Sequence, residues 1–128
     1  MPVVVIIDDC EDNLELFALV LREAGFIVHT AQDGIEGVRL VEVEQPDAVV
    51  VDLAMPHMDG FETIERLRST PSGESLYVVV ASACADRASR ERATAVGANF
   101  FVAKPCAPTA LVEAVRFGVQ LLSDSRQA

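Results

Sequence analysis

No apolar run in this sequence reaches ten residues, no basic-then-apolar segment opens it, and cations are scarce. The first absence excludes a membrane-spanning helix, which needs about twenty apolar residues, and the second argues against a secretory signal. The third leaves 10 Lys and Arg against 20 Asp and Glu, a formal net charge of −10, which argues against a nucleic-acid surface or an anionic membrane as the main partner. The cysteines number three, an odd count with no CxxC and no zinc-like spacing, and so form no disulfide framework. Linkers, internal repeats and low-complexity tracts are also missing. These exclusions predict a soluble cytoplasmic protein that contacts no nucleic acid and inserts in no membrane.

What is present is a chain of 128 residues, 51% of them hydrophobic, enough for one domain with a substantial core. Short β-branched runs recur at 3–7 (VVVII), 27–31 (IVHTA), 48–51 (AVVV), 77–81 (YVVVA) and 100–103 (FFVA). Helical patterns lie between and after them, at 12–24, 33–44, 60–68, 87–96 and 108–122. Gly25 stands where a left-handed cap would stop the first helix, and Pro46 follows the second. In the first helix a 100° step gathers Phe17, Val20, Leu21 and Ala24 on one side, opposite Glu11, Glu15 and Arg22. Continuous apolar strands alternating with helices predict an α/β doubly wound domain, a parallel sheet covered on both faces.

In such a sheet the binding crevice lies at the carboxyl ends of the strands. Strand 1 ends in Asp8 and Asp9, strand 3 in Asp52, strand 4 in Ser82 and strand 5 in Lys104. Two carboxylates after a buried strand would be costly without positive partners, and Lys104 and a divalent metal are the candidates. An oxygen-rich site with open water positions suits Mg²⁺ better than zinc. Asp52, alone after AVVV and followed by the mobile-looking LAMPHMDG, is the best nucleophile towards phosphorus, with an aspartyl phosphate as the product.

Taken in order, IIDD at 6–9, VVVDLAMPHMDG at 49–60, ASA at 81–83 and GANFFVAKP at 97–105 resemble a response-regulator receiver domain over essentially the whole chain. The resemblance implies a flavodoxin-like fold with strand order 2-1-3-4-5 and five helices, a receiver over 1–122, a short tail over 123–128 and no output domain. It implies Mg²⁺ held by Asp8, Asp9, Asp52 and the backbone carbonyl of Ala54. Asp52 would accept a phosphoryl group from a histidine kinase or a histidine phosphotransfer protein in a two-component or phosphorelay system. Ser82 would move to bond a phosphoryl oxygen, Lys104 would pair with another, and the peptide bond before Pro105 would be cis. Phe101 takes the aromatic switch position without the hydroxyl of the more frequent Tyr. The face of helix 4, strand 5 and helix 5 would then change its affinity for a downstream effector. The domain would be a signalling switch and not an enzyme, although it would self-dephosphorylate. Ala54 and Cys84, two residues past Asp52 and Ser82, are small and uncharged and would not steer an attacking water strongly.

Other readings bear on the same residues. A pseudo-receiver, acting as an interaction module without phosphorylation, is the alternative, although none of the acidic residues or the Lys is lost. An aspartyl-phosphate phosphatase would need a second Asp where Ala54 stands, and DDCEDN would repel a flavin phosphate. The Asp pair alone could serve as a helix cap. Leu14 and Leu16 flank the core stripe beside the acidic pocket and, with Pro105, are candidates for docking a partner. Helix 4, RASRERATAV, has few large apolar residues and should be weakly anchored. His29 and His57 read as strand-face and loop residues, and the methionines of MPHMDG as packing. Cys10, Cys84 and Cys106 read as small apolar fillers, or as a redox-sensitive set in which Cys10 and Cys106 could bridge if their Cα atoms lie within about 7 Å.

Overall fold

The computed structural model describes residues 1–127. Five parallel strands, β1 (Val3–Ile7), β2 (Ile27–Ala31), β3 (Ala48–Val51), β4 (Tyr77–Ser82) and β5 (Phe100–Ala103), form one sheet in the order β2-β1-β3-β4-β5. The helices are α1 (Glu11–Glu23), α2 (Gly34–Glu44), α3 (Gly60–Ser69), α4 (Arg87–Val96) and α5 (Pro108–Gln127). This is the flavodoxin-like arrangement, with the first reversal of strand order beside β1 and β3.

The pleat divides the apolar strands between two cores. Val4 and Ile6, Ala48 and Val50, and Tyr77, Val79 and Ala81 face α1 and α5. Val5 and Ile7, Val49 and Val51, and Val78 and Val80 face the opposite layer with Val41, Ile64, Leu67 and Ala93. Most of these strand side chains are fully buried, each Val or Ile stabilising the fold by about 1.5–3 kcal/mol relative to exposure. Burial on both sides explains why the strands read as continuous apolar runs and not as alternating ones.

Helix starts follow local chemistry. Asp33, Asp59 and Asp86 cap α2, α3 and α4, each carboxylate accepting the backbone N–H three residues on, at 2.8, 2.9 and 3.2 Å. Gly25 adopts φ +101° after α1, as its position predicts, while α2 closes on a left-handed Gln45 at φ 46° ahead of Pro46. Helix α5 continues to Gln127 where the pattern stops it at 122, so the segment read as a tail is helical as far as the structure describes it.

The stripe on α1 is rotated from its expected position. Leu14, Phe17, Ala18 and Leu21 are the buried side chains, with Val20 and Ala24 only partly covered. Leu14 is 4% exposed and belongs to the core, so it is withdrawn as a docking residue. Leu16, 45% exposed, and Pro105, also exposed, remain accessible. The loop after Asp52 is also better anchored than it reads, because Leu53, Met55 and Met58 are all buried. Among the described residues no helix is long and apolar enough to cross a membrane.

Arg68 is a structural residue that the sequence pattern does not single out. From the last turn of α3 its guanidinium donates to the carbonyls of Gly73 (2.7 Å) and Gly97 (2.6 Å) and to Asn99 Oδ1 (2.8 Å). Asn99 Oδ1 also accepts the Val78 N–H at 2.8 Å, so one side-chain pair ties α3, the end of α4 and the starts of β4 and β5 together.

Candidate functional site

The strand-end residues converge as their positions predict. Asp8 directly follows β1 and is 2% exposed, and Lys104 Nζ donates to its Oδ2 at 2.7 Å. The same ammonium lies 3.7 Å from Asp52 Oδ2 and 5.6 Å from the centre of the Phe17 ring. Lys104 directly follows β5, and the Lys104–Pro105 peptide bond after it is cis. Lys104 is therefore the positive partner that the buried strand end requires.

Neither carboxylate of the Asp8–Asp9 pair serves as a cap in the ordinary sense. The N-cap of α1 is Cys10, whose side chain makes no capping bond, and the Cys10 N–H donates back to Asp8 Oδ1 at 2.9 Å. Asn13, in the first turns of α1, approaches Asp8 Oδ2 at 3.5 Å, a neighbour not expected from the sequence because it carries no charge and fits no strand end. Asp9 stands exposed at the mouth of the site. One oxygen from each of Asp8, Asp9 and Asp52 lies within 4.8 Å of the others.

Asp52 is held between opposing influences. Burial raises its pKa above the ordinary carboxylate value, the charge of Lys104 lowers it, and nearby Asp8 raises it again, with smaller lowering from Ser82 and the Ala54 N–H. The net direction is upward, so the folded protein binds more protons than the unfolded chain across the window just above the ordinary carboxylate value, and stability falls as pH rises through it. Asp52→Asn should therefore melt at a higher temperature than wild type at neutral pH in chelator. The gain should shrink as pH falls through the carboxylate range, and equal melting curves at both pH values would contradict this balance.

The backbone of Asp52 is fixed by contact with α3. A Cβ at Gly60 would overlap the Asp52 carbonyl oxygen, and the Gly60 N–H donates to Leu53 O at 2.9 Å. Glycine is thus the residue that lets α3 begin directly beneath the candidate nucleophile.

Ser82 is fully buried at the end of β4, and its Oγ accepts the Cys84 N–H at 3.1 Å. Phe101, half-buried on β5, pairs with Val80, while Ser82 pairs with Ala103. Ala54 is exposed, consistent with an open side to the site. Cys10 and Cys84 are exposed free thiols and not fillers; Cys106 alone packs against the core, partly buried. His29 sits on β2 with Nε2 3.3 Å from Glu44 Oε2, and His57 lies in the loop at φ 68°. Met55 and Met58 pack, as read.

Fold and site together define a doubly wound α/β domain with three carboxylates, a hydroxyl and an ammonium at one sheet edge. The model of the response regulator receiver domain matches residues 4–116, and the chain belongs to that family, the receivers of two-component signalling. Among its relatives, a 14.6 kDa protein in the sodA1 3' region of Leptolyngbya boryana is 37% identical over 113 residues, covering 88% of this chain and 86% of that protein. Response regulator MprA of Mycobacterium sp. (strain KMS) is 36% identical over 117 residues, 91% of this chain and 50% of that protein, so the chain spans about half the length of this relative. The receiver domain of sensor histidine kinase PA1611 from Pseudomonas aeruginosa PAO1 superposes with a TM-score of 0.86 at 25% identity, covering 93% of this chain and 98% of that one. That structure has a magnesium ion coordinated in its active-site cleft. Receiver domains typically interact with histidine kinases and downstream effectors.

Proposed function

We propose that this domain is a phosphorylated switch in which Asp52 accepts a phosphoryl group from the phosphohistidine of a kinase or a histidine phosphotransfer protein. The observation that carries the reading is the placement of Lys104 Nζ between Asp8 (2.7 Å) and Asp52 (3.7 Å) beside an otherwise acidic cluster. An Asp52 oxygen attacks phosphorus, the O–P bond forms as the N–P bond breaks, and the histidine nitrogen leaves with the bonding pair. Lys104 neutralises one phosphoryl oxygen, and the Ser82 hydroxyl donates to another.

The donor set fits a hard divalent cation, since it offers oxygen ligands only and leaves the Asp9 side open to water. Asp8, Asp9 and Asp52 would hold Mg²⁺, with the Ala54 carbonyl as the backbone ligand that the family resemblance implies. When bound, the ion supplies charge neutralisation for the transferring oxygens. Relief of carboxylate repulsion means that millimolar Mg²⁺ should raise the melting temperature of the wild type. Asp9→Ala should lose most of that rise while keeping the buried Asp8–Lys104 pair. A flat magnesium titration of the wild type would favour the pseudo-receiver.

The partner that delivers the phosphoryl group docks, on this reading, over a groove beside Lys104, lined by Asn13, Leu16, Phe17, Ala83, Pro105 and Cys106. The output is read to leave by the face of α4, β5 and α5, where Phe100 and Phe117 are exposed along an apolar groove. Incubation with Mg²⁺ and acetyl phosphate tests the whole reading: intact mass should rise by one phosphoryl group, labile to hydroxylamine. No mass change with Mg²⁺ present would leave an interaction module.

A further inference from the structure

We propose that Arg90 is a positioning residue which clamps the loop after Ser82 to the ring of Phe101, and so opposes the phosphorylated arrangement of the site. The proposal rests on the phosphoacceptor reading of Asp52 and concerns how that site is coupled to α4.

Helix α4 has little apolar anchorage, since Ala93 is its one buried side chain. Guanidinium groups hold it in place. Arg92 stacks over Phe61 of α3 at 4.1 Å, Arg90 stacks over Phe101 of β5 at 4.6 Å, and Arg68 binds the Gly97 carbonyl at the helix end. Arg87, by contrast, points to solvent and pairs with Glu91 at 2.8 Å.

Arg90 differs from the others in what it joins. While its guanidinium covers Phe101, its Nε–H donates to the Ala85 carbonyl at 2.9 Å. Ala85 belongs to the short segment between Ser82 and the α4 cap at Asp86, and the Cys84 N–H in that segment is bonded to Ser82 Oγ. The Ser82 hydroxyl proton can turn to a phosphoryl oxygen, but its oxygen remains held by Cys84, so a shift of Ser82 Oγ towards Asp52 carries residues 83–85 with it. Phe101 lies on a separate strand and does not share that displacement. One planar group cannot keep both the Ala85 bond and full contact with the ring, so the clamp loosens as Ser82 engages. Its strength is then a bias against the phosphorylated state, and removing it should favour that state.

The test is a beryllofluoride titration of the full chain at saturating Mg²⁺, followed by amide NMR signals of residues 83–86 and 100–102. In wild type these signals should move. In Arg90→Met the midpoint should fall about two- to fivefold, the size of an exposed cation–π contact, and the unliganded Phe101 signals should already lie part of the way towards the liganded position. Arg90→Lys, which keeps the charge but loses the fork, should fall between them and carries the test if Arg90→Met melts lower. Arg87→Met should match wild type in midpoint, shifts and melting temperature, whereas Arg90→Met without beryllofluoride should melt slightly below wild type, because the clamp stabilises the unliganded fold; a simple loss of stability would lower the melting temperature without lowering the midpoint. A responsive wild type with an unchanged or higher midpoint in both Arg90 variants overturns the clamp alone. A wild type without any response overturns the phosphoacceptor reading, and the clamp with it.

Discussion

Asp52→Asn should take up no phosphoryl group from acetyl phosphate under conditions that label the wild type. On the proposed reading the Asp52 carboxylate is the group that attacks, since Asp8 is already committed to Lys104 and the Cys10 N–H. Asp9 stands outside, exposed at the mouth. An amide has neither the charge nor the nucleophilicity to replace it, while its shape preserves the contact between Gly60 and the backbone at residue 52. The variant is also expected to melt above the wild type, so lost labelling with retained or raised stability separates chemistry from misfolding. Undiminished labelling of Asp52→Asn, located by peptide mapping, would move the phosphoacceptor elsewhere.

Lys104→Met should lower stability sharply. It removes the ammonium from an aspartate that is 2% exposed, and breaking a buried pair from one side costs about 3–5 kcal/mol. Pairing the change with Asp8→Asn should recover part of the loss, since removing both charges leaves no orphan. Chemical denaturation of the two single variants and the double variant in chelator measures the coupling, and additive losses would show that the 2.7 Å contact contributes nothing. Phosphorylation should fall in Lys104→Met as well, for want of the charge that faces the transferring oxygens.

The strands and the site were legible because both obey short rules. A strand buried on two faces must be apolar throughout, so a charge directly after it is conspicuous, and Asp8, Asp52 and Lys104 announce themselves in that way. Groups whose role depends on reach were not legible. Asn13, Arg68 and Arg90 look like ordinary surface residues of helices, and only the fold shows that their side chains end on Asp8, on Gly97 and Asn99, and on Ala85 and Phe101. Leu14 was misplaced because the apolar residues of α1 fit two stripes offset by three residues, about 60° around the helix axis, and contact with β1 and α5 decides between them. The run of α5 to Gln127 was hidden by the polar SDSRQ, which forms helix as readily as coil when it continues a packed one.

The sheet that separates the two apolar cores also separates the functional groups. By strand parity Asp8, Asp52 and Lys104 continue the rows that face α1 and α5, while Ser82 and Phe101 continue those that face α3 and α4. The two layers meet across the backbone of the strands, and at the strand ends Ser82 already reaches towards Asp52 from the other side. A phosphoryl group bonded to Asp52, and reached by both Lys104 and Ser82, would act as a rivet through the sheet, fastening one layer to the other at a single point. Signalling in this domain would then be the temporary tightening of one joint between two packed layers.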